Sequence, residues 1–191
     1  MSQKNLFEYD IDNDGVIREA EISECGIYRY RISRIWNMDA PHVLFVLLNP
    51  STADAIVDDP TLGRCMSFAR EWGYGGLIIV NLFAARSANP KMLKEVKDPV
   101  GPENDKWIKE EAEKASLIVL GWGNHGSLRN RDKKVLPWLK EARCLAVTKQ
   151  GQPSHPLYLS KTLKPFLYKT KKNVDKPNKQ SRKPRHRVKR R

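Results

Sequence analysis

The sequence predicts an α/β domain of three layers, with a mainly parallel central sheet, helices on both faces and an N-terminal β-hairpin. Four short apolar runs are separated by stretches of helical periodicity, and strands that alternate with helices form parallel sheets through right-handed crossovers. Few hairpin signals interrupt this alternation after residue 40. We expect an N-terminal β extension packed on the core over residues 1–40, an α/β domain over residues 41–168 and a disordered basic tail over residues 169–191.

The first core strand is the apolar run at residues 43–48. Six consecutive strand-forming residues are too few for a membrane span and are typical of a strand buried on both faces. Pro50 ends this strand, because proline has no N–H to donate to the ladder. Ligands of open α/β sheets bind beyond the carboxyl ends of strands, so Asn49, Ser51 and Asp54 are candidate site residues. The structural alternative is that a hydroxyl of this segment only caps the next helix.

Three further apolar runs also end in polar residues. Strands are predicted over residues 77–80, 116–120 and 144–148, and helices over residues 62–72, 103–115 and 135–142. Parallel crossovers return the chain to the same side, so the polar residues that follow the strands meet at one edge of the sheet. A single site can therefore draw on Asn49, Asn81, Trp122, His125 and His155.

The segment from Asp10 to Glu21 matches the calcium-loop pattern of an EF-hand, with glycine at the sixth place and glutamate at the twelfth. Only nine residues precede it, too few for the helix that an EF-hand requires. The following Tyr28, Tyr30 and Ile32 alternate with arginines as in a strand. We therefore interpret residues 13–15 as a hairpin turn and keep calcium binding as a third, weaker hypothesis. No other metal and no cofactor are expected.

The positive charge is concentrated at the carboxyl terminus. Residues 169–191 hold 12 Lys and Arg and one acid, which gives +11 of the formal net charge of +13. With only two aliphatic residues, this segment is expected to be disordered and to bind nucleic acid electrostatically, although a solubility tail is the alternative. No apolar anchor accompanies the charge, so no membrane binding is expected. The cations assigned to nucleic acid are Lys171, Lys172, Arg182, Lys183, Arg185, Arg187, Lys189, Arg190 and Arg191.

The cysteines and the apolar content predict a cytoplasmic location. The three cysteines show neither pairing nor metal spacing, which suits a reducing compartment. No secretory leader and no apolar run of ~18 residues are recognisable.

Several enzyme classes are excluded by missing motifs. The chain has no G-x-G-x-x-G fingerprint, no phosphate-binding loop, no nucleophile elbow and no Cys and His cluster for zinc. Amides, carboxylates, imidazoles and aromatic residues remain. Amides read the edges of bases, aromatic rings stack on them, and a neutral histidine can donate to a developing oxyanion.

Four motifs, in chain order, resemble the motif series of the uracil-DNA glycosylase superfamily. They are Leu48-Asn49-Pro50-Ser51, Val80-Asn81, the LGWGNHG run at 120–126 and His155-Pro156-Leu157. Residues from about 24 to 167 are also similar to an uncharacterised bacterial and phage domain-of-unknown-function family, through the signatures LNPSTAD, DDPT, RC, WGYGG, VNLFA, DPVGP and HPLYL.

The resemblance to the glycosylases implies a role for each matching residue. Asn49 would position the attacking water, Asn81 would hydrogen-bond the base and His155 would face the oxygen of the departing base. The most active glycosylases have aspartate where this chain has Asn49, so water activation would be weak. Asp54 or Asp59 is a candidate for the missing base.

The remaining candidates are substrate-binding residues, each with a structural alternative. Ser51, Arg86, Trp122 and His125 complete this set. Arg86 could instead pair with a nearby aspartate. Asn81 and His125 could be loop residues that only cap the ends of strands through hydrogen bonds. Serine is usual at the third place of the closing motif, where this chain has a leucine, so the minor-groove contact of that motif is not implied.

Two functions are therefore expected. The first is a DNA glycosylase-like hydrolase of N-glycosidic bonds on uracil or a modified base, with DNA rather than RNA as partner. The second is a non-catalytic nucleic-acid or nucleotide-binding module with the same fold.

Overall fold

The computed structural model describes residues 5–11, 14–51, 58–87 and 89–169. Asp54 and the nine tail cations lie outside these ranges. The strands are β1 (Asn5–Ile11), β2 (Ile17–Ser23), β3 (Arg29–Ile35), β4 (His42–Leu47), β5 (Gly76–Asn81), β6 (Leu117–Leu120), β7 (Arg143–Cys144) and β8 (Phe166–Leu167). The α-helices are α1 (Pro60–Glu71), α2 (Asn104–Lys114) and α3 (Arg131–Val135).

These eight strands form one sheet, in the order β1-β2-β3-β5-β4-β6-β7-β8. The central strands β5, β4, β6 and β7 are parallel neighbours, whereas β1 to β3, the β3–β5 pair and the β7–β8 pair are antiparallel. The sheet is mixed, so the prediction of a mainly parallel sheet is wrong. The reason is that β3 hydrogen-bonds directly to β5. The N-terminal strands therefore extend the central sheet, in place of a separate hairpin lying on it.

Strand β4 lies between β5 and β6 and sends side chains into both cores. Val43, Phe45 and Leu47 pack with α1, whose buried face includes Leu62 and Phe68. Alternate residues pack on the other face of the sheet with α2 and α3, in a cluster that includes Leu44, Val46, Leu48, Ile108 and Val135. Helices thus cover both faces, and each face of β4 is apolar because each meets a core.

Helix α1 is capped by Asp59, which precedes Pro60 at the first helical position. The Asp59 Oδ1 atom accepts a hydrogen bond of 2.7 Å from the Leu62 N–H, as expected of an aspartate N-cap. The alternative that Ser51 caps this helix is wrong, because the Ser51 hydroxyl donates to Asp59.

The chain between β6 and β7 differs from the prediction. The helix expected over residues 135–142 is instead α3, which a 3₁₀ turn over Leu136–Trp138 follows. Pro137 lies in that turn, where its missing N–H cannot continue an α-helix. Strand β7 is also shorter than the predicted 144–148. The chain leaves the sheet there, since Val147 forms an isolated bridge with Pro153.

The calcium-loop pattern is folded as a β-hairpin. Asp10 is opposite Arg18, and Glu21 is opposite Phe7 in the β1–β2 register. An EF-hand needs a helix after its loop, but the residues there form strand β2, and Glu21 is buried. The EF-hand interpretation therefore does not hold. Residue 13 of the predicted turn lies outside the described residues.

None of the helices in the described ranges combines the length and the apolarity needed to cross a bilayer.

Candidate functional site

A cavity of about 430 Å³ lies where β4, β5 and β6 reach their carboxyl ends. Its volume falls within the ~300–1,000 Å³ of typical small-molecule sites. Parallel strands place their following residues at this one edge. The cavity brings together seven of the predicted site residues: Asn49, Ser51, Asp59, Asn81, Trp122, His125 and His155.

A larger groove, about 1190 Å³, is formed partly by the amino-terminal residues of β6. The aromatic rings in the wall of this groove already pack against other side chains of the protein. Trp72 stacks on Phe68, with ring centroids 5.3 Å apart, and the Lys109 ammonium lies 4.6 Å from the centre of the Trp138 ring. The smaller cavity, which collects the polar strand ends, is therefore the better candidate site.

Asn49 is held by two backbone carbonyls. Its Nδ2 atom donates to the carbonyl oxygen of Pro50 at 3.0 Å and to that of Ser87 at 2.9 Å. Both amide protons are used, so the orientation of the amide is fixed. Its Oδ1 atom remains as an acceptor for a ligand or a water molecule.

Asp59 links the cavity wall to α1. One carboxylate oxygen accepts the capping hydrogen bond from Leu62, and the other accepts the hydroxyl hydrogen of Ser51. Both Ser51 and Asp59 line the cavity. The carboxylate is thus fixed in place, with a serine hydroxyl beside it.

Asn81, the last residue of β5, is 2% exposed and lines the cavity. Its backbone is held from behind, since Asn104 Nδ2 donates to the carbonyls of Asn81 and Leu82 at 3.0 and 3.1 Å. Arg131 Nε also donates to the Leu82 carbonyl, at 2.7 Å. Within the described ranges the Asn81 side-chain amide has no hydrogen-bond partner. Buried amides normally have one, so this amide is available to a ligand.

Trp122 follows β6 and belongs to the core more than to the cavity surface, because it is only 1% exposed. Its Nε1 atom donates to Gln152 Oε1 at 2.7 Å, and Gln152 Nε2 donates to Asp132 Oδ2 at 2.8 Å. Gly126 lies against the indole, where a Cβ atom would be 2.0 Å from Trp122 Cδ1. The ring is therefore fixed and offers little surface for stacking on a base.

His155 lies in the loop that closes the cavity. Its Nδ1 atom accepts a hydrogen bond of 3.4 Å from the Leu157 N–H, so the neutral imidazole carries its proton on Nε2. Burial lowers the pKa of His155, and the negative charge of Asp59 opposes this shift. Gly121 gives the loop room, because a Cβ there would be 2.7 Å from Pro156 Cδ. His155 is thus a neutral hydrogen-bond donor at neutral pH.

His125 is exposed and also lines the cavity. Arg86 does not line it, contrary to its predicted place, and its Nη1 atom donates to the Gly26 carbonyl at 3.3 Å. Asp58, one of the aspartates with which Arg86 could have paired, instead forms ion pairs of 2.8 Å with Arg18 and Arg34. Both of these arginines come from the N-terminal strands.

Several residues of the cavity wall were not predicted, and Arg29 and Tyr158 are two of them. Arg29, the first residue of β3, is 4% exposed. The alternation of Arg29 and Arg31 with apolar residues predicted a strand here but did not assign Arg29 to the site. Tyr158 follows the closing motif, is 84% exposed and has its ring centroid 6.0 Å from that of His155. The HPLYL signature contains Tyr158, but no pattern assigned it to the site.

No three His, Cys, Asp or Glu side chains among the described residues are grouped so that they could hold a metal ion.

Fold and site together define an α/β protein with a polar ligand cavity at the carboxyl ends of the parallel strands of a mixed sheet. Residues 29–157 match the model of a family described as a protein of unknown function, DUF1643. The chain belongs to this family, which confirms the expected uncharacterised family and leaves the glycosylase resemblance a prediction.

No curated protein matches this chain. Among solved structures, the chain is similar to a hetero-hexameric glutamate dehydrogenase from Thermus thermophilus in its Leu-bound form, at 13% sequence identity and a TM-score of 0.28. The match covers 72% of this chain and 29% of that one. A TM-score this low carries no argument about fold or function.

Proposed function

We propose that this protein is a DNA glycosylase-like hydrolase, which cleaves an N-glycosidic bond in nucleic acid and releases uracil or a modified base. One observation carries the proposal. The cavity presents a fixed acceptor, Asn49 Oδ1, together with a neutral donor, the Nε2–H of His155. Hydrolytic release of a base needs one group to orient water and another to stabilise the departing base.

The chemistry follows from these two groups. The oxygen of a water held by Asn49 forms a bond to C1′ of the sugar as the C1′–N bond breaks. The electron pair of that bond leaves with the base, and negative charge develops on a base oxygen. A neutral imidazole stabilises such an oxyanion by hydrogen bonding, and the lowered pKa of His155 keeps it in this neutral form.

Asn81 supplies the recognition element. Its amide offers a paired donor and acceptor, the arrangement that reads the edge of a base. The carbonyl contacts from Asn104 and Arg131 fix the backbone at the end of β5, so the residue that carries this amide is in place before the ligand enters. This preorganisation lowers the entropic cost of binding.

The basic tail would contribute affinity for DNA. Its nine assigned cations would bind phosphates with little sequence preference and raise the local concentration of the domain on DNA in the cytoplasm.

A second candidate function is a binding module without catalysis. The observation in its favour is that residue 49 is an amide, which orients water but is a poor proton acceptor, while both oxygens of Asp59 already accept hydrogen bonds. Such a module would keep the recognition amide and lose turnover.

Mass spectrometry of released bases tests the proposal. The purified chain is incubated with DNAs that carry uracil, mismatched thymine or hypermodified bases, beside Asn49→Ala and His155→Ala. Release by the wild type that both variants lose would support a glycosylase and name its base. Asn37→Ala is the matched control, because Asn37 is exposed in a loop that hydrogen-bonds to Gly75, ahead of β5.

Binding measurements separate the second candidate. Deleting residues 169–191 should weaken DNA binding and reduce its salt dependence under either function. No base release from any DNA, with tail-dependent binding intact, would contradict the glycosylase proposal and favour the binding module.

A further inference from the structure

We infer that Ser51 and Asp59 form a proton relay, in which the Ser51 hydroxyl passes a proton from the attacking water to the Asp59 carboxylate. This inference rests on the proposed function, and it supplies the proton acceptor that the amide of Asn49 cannot provide.

The hydrogen bonds of Asp59 favour transfer through serine over direct abstraction. Oδ1 accepts the Leu62 N–H at 2.7 Å, and Oδ2 accepts the Ser51 hydroxyl hydrogen. Each oxygen of Asp59 keeps a second lone pair, so direct abstraction of the water proton by Asp59 is the competing route, which the Ser51 variants below test. The hydroxyl of Ser51, by contrast, already points its hydrogen at the carboxylate.

Chain order also brings the relay to the water. Ser51 is two residues from Asn49, and both line the cavity with Asp59. The Asn49 amide is locked by Pro50 and Ser87, so Oδ1 orients the water through one of its hydrogens. The other hydrogen can be given to Ser51 Oγ, whose lone pairs accept hydrogen bonds.

The step balances. The water oxygen bonds to C1′ as the C1′–N bond breaks, and the electron pair of that bond goes to the base, which the Nε2–H of His155 stabilises. One water proton moves to Ser51 Oγ while the original Ser51 hydroxyl proton moves to Asp59 Oδ2. Serine ends as a hydroxyl, Asp59 ends as a carboxylic acid, and its proton later returns to solvent.

Three variants test the relay on whichever DNA the wild type processes. Asp59→Asn removes the proton acceptor but keeps the α1 cap, because asparagine is as good an N-cap as aspartate. Ser51→Ala removes the relaying hydroxyl, and Ser51→Thr restores one. We expect Asp59→Asn and Ser51→Ala to lose about 100-fold or more in single-turnover release, the scale of general base catalysis. Ser51→Thr should stay within about tenfold of the wild type.

A proton inventory in mixed H₂O and D₂O gives a readout that a purely structural role would not move. Two protons in flight in the wild type predict a curved dependence of rate on deuterium fraction, and the residual rate of Ser51→Ala should vary linearly. DNA affinity and melting temperature should be unchanged in Asp59→Asn, which separates loss of chemistry from loss of fold.

The outcomes distinguish this inference from the proposed function. Base release by the wild type that Asp59→Asn retains within about threefold would overturn the relay alone. A linear proton inventory in the wild type would do the same. Absence of release by the wild type would overturn the proposed function, and the relay with it.

Discussion

The side-chain amide of Asn49 donates a hydrogen bond of 2.9 Å to the backbone carbonyl of Ser87, 38 residues further along the chain. This contact ties the segment after β4 to the segment after β5. It also places the Nδ2 donor of Asn49, and not its Oδ1 acceptor, against carbonyl oxygens. An amide therefore suits this position better than a carboxylate.

Asn49→Asp is therefore expected to impair the protein, although the proposed glycosylase resemblance would favour aspartate at this position. A carboxylate oxygen would replace the donor that faces the carbonyls of Pro50 and Ser87. We expect urea unfolding to give a free energy of unfolding lower by about 1–3 kcal/mol, because the two hydrogen bonds of the partly buried amide are lost, and, under the proposed function, we expect base release to fall.

Asn37→Asp is the control for this charge change. Asn37 accepts a hydrogen bond from the Asp39 N–H through Oδ1, a role that a carboxylate also fills, so its stability should be unchanged. An Asn49→Asp protein as stable as Asn37→Asp would contradict the assigned amide orientation.

Burial of His155 predicts a loss of stability in mild acid. Its pKa in the folded state is below the ordinary 6.5, so above that pH both states are neutral and the residue adds no pH dependence. As pH falls below 6.5, the unfolded chain takes up the proton first and folding becomes less favourable. The loss stops growing once pH passes the folded pKa.

Urea unfolding between pH 8 and pH 5 measures this effect. The pH dependence of His155→Gln should be flatter than that of the wild type, because glutamine does not titrate. Asn37→Gln, a change between two amides at an exposed position, should keep the wild-type slope. An unchanged slope in His155→Gln would contradict a buried neutral imidazole.

Two glycine-to-alanine substitutions should act in opposite directions. At Gly126 the new Cβ would be 2.0 Å from Trp122 Cδ1, so the buried ring or the loop must move. We expect a loss of about 1–3 kcal/mol, typical of overpacking. At Gly63, an exposed position of helix α1, no atom lies within 4 Å of the added Cβ, and alanine should stabilise by about 0.5–1 kcal/mol.

Thermal or urea unfolding of Gly126→Ala and Gly63→Ala measures these two changes in stability. Intrinsic fluorescence follows the transition as the summed signal of the five tryptophans of the chain. Equal stability of the two variants would mean that the GWGNHG segment is loosely packed, contrary to the structure.

The substitution Gln152→Glu should be tolerated only when the side chain at position 132 is neutral. Glu at 152 can still accept from Trp122, but it would face the carboxylate of Asp132, to which Gln152 now donates at 2.8 Å. We expect Gln152→Glu to lose about 1–3 kcal/mol. The double variant Gln152→Glu with Asp132→Asn should regain most of it, because the new amide can donate to the new carboxylate. Additive losses in this double-mutant cycle would rule out the contact.

The sequence predicted the central strands well, because β4 and β5 are long apolar runs that end in polar residues. It did not predict the mixed sheet. The antiparallel pairing of β3 with β5 is a long-range contact, and periodicity within either strand carries no information about its partner. The short strand β7 was misjudged for a similar reason, as its end is set by the bridge between Val147 and Pro153.

The candidate site was partly predictable. Residues after strand ends, such as Asn81 and His155, could be assigned because parallel strands converge at one edge. Arg29 could not, since its strand joins the edge in the opposite direction. The role of Asp59 as helix cap and partner of Ser51 depends on how α1 is placed against the loop, which spacing alone does not fix.

Helix α3 begins with two residues that each hold a different loop of the cavity. Arg131 binds the Leu82 carbonyl after β5, and Asp132 holds Gln152, which in turn holds Trp122 after β6. Neither loop can be released without disturbing the same helical turn. In native-state hydrogen exchange the two loops should therefore open together, as one cooperative unit.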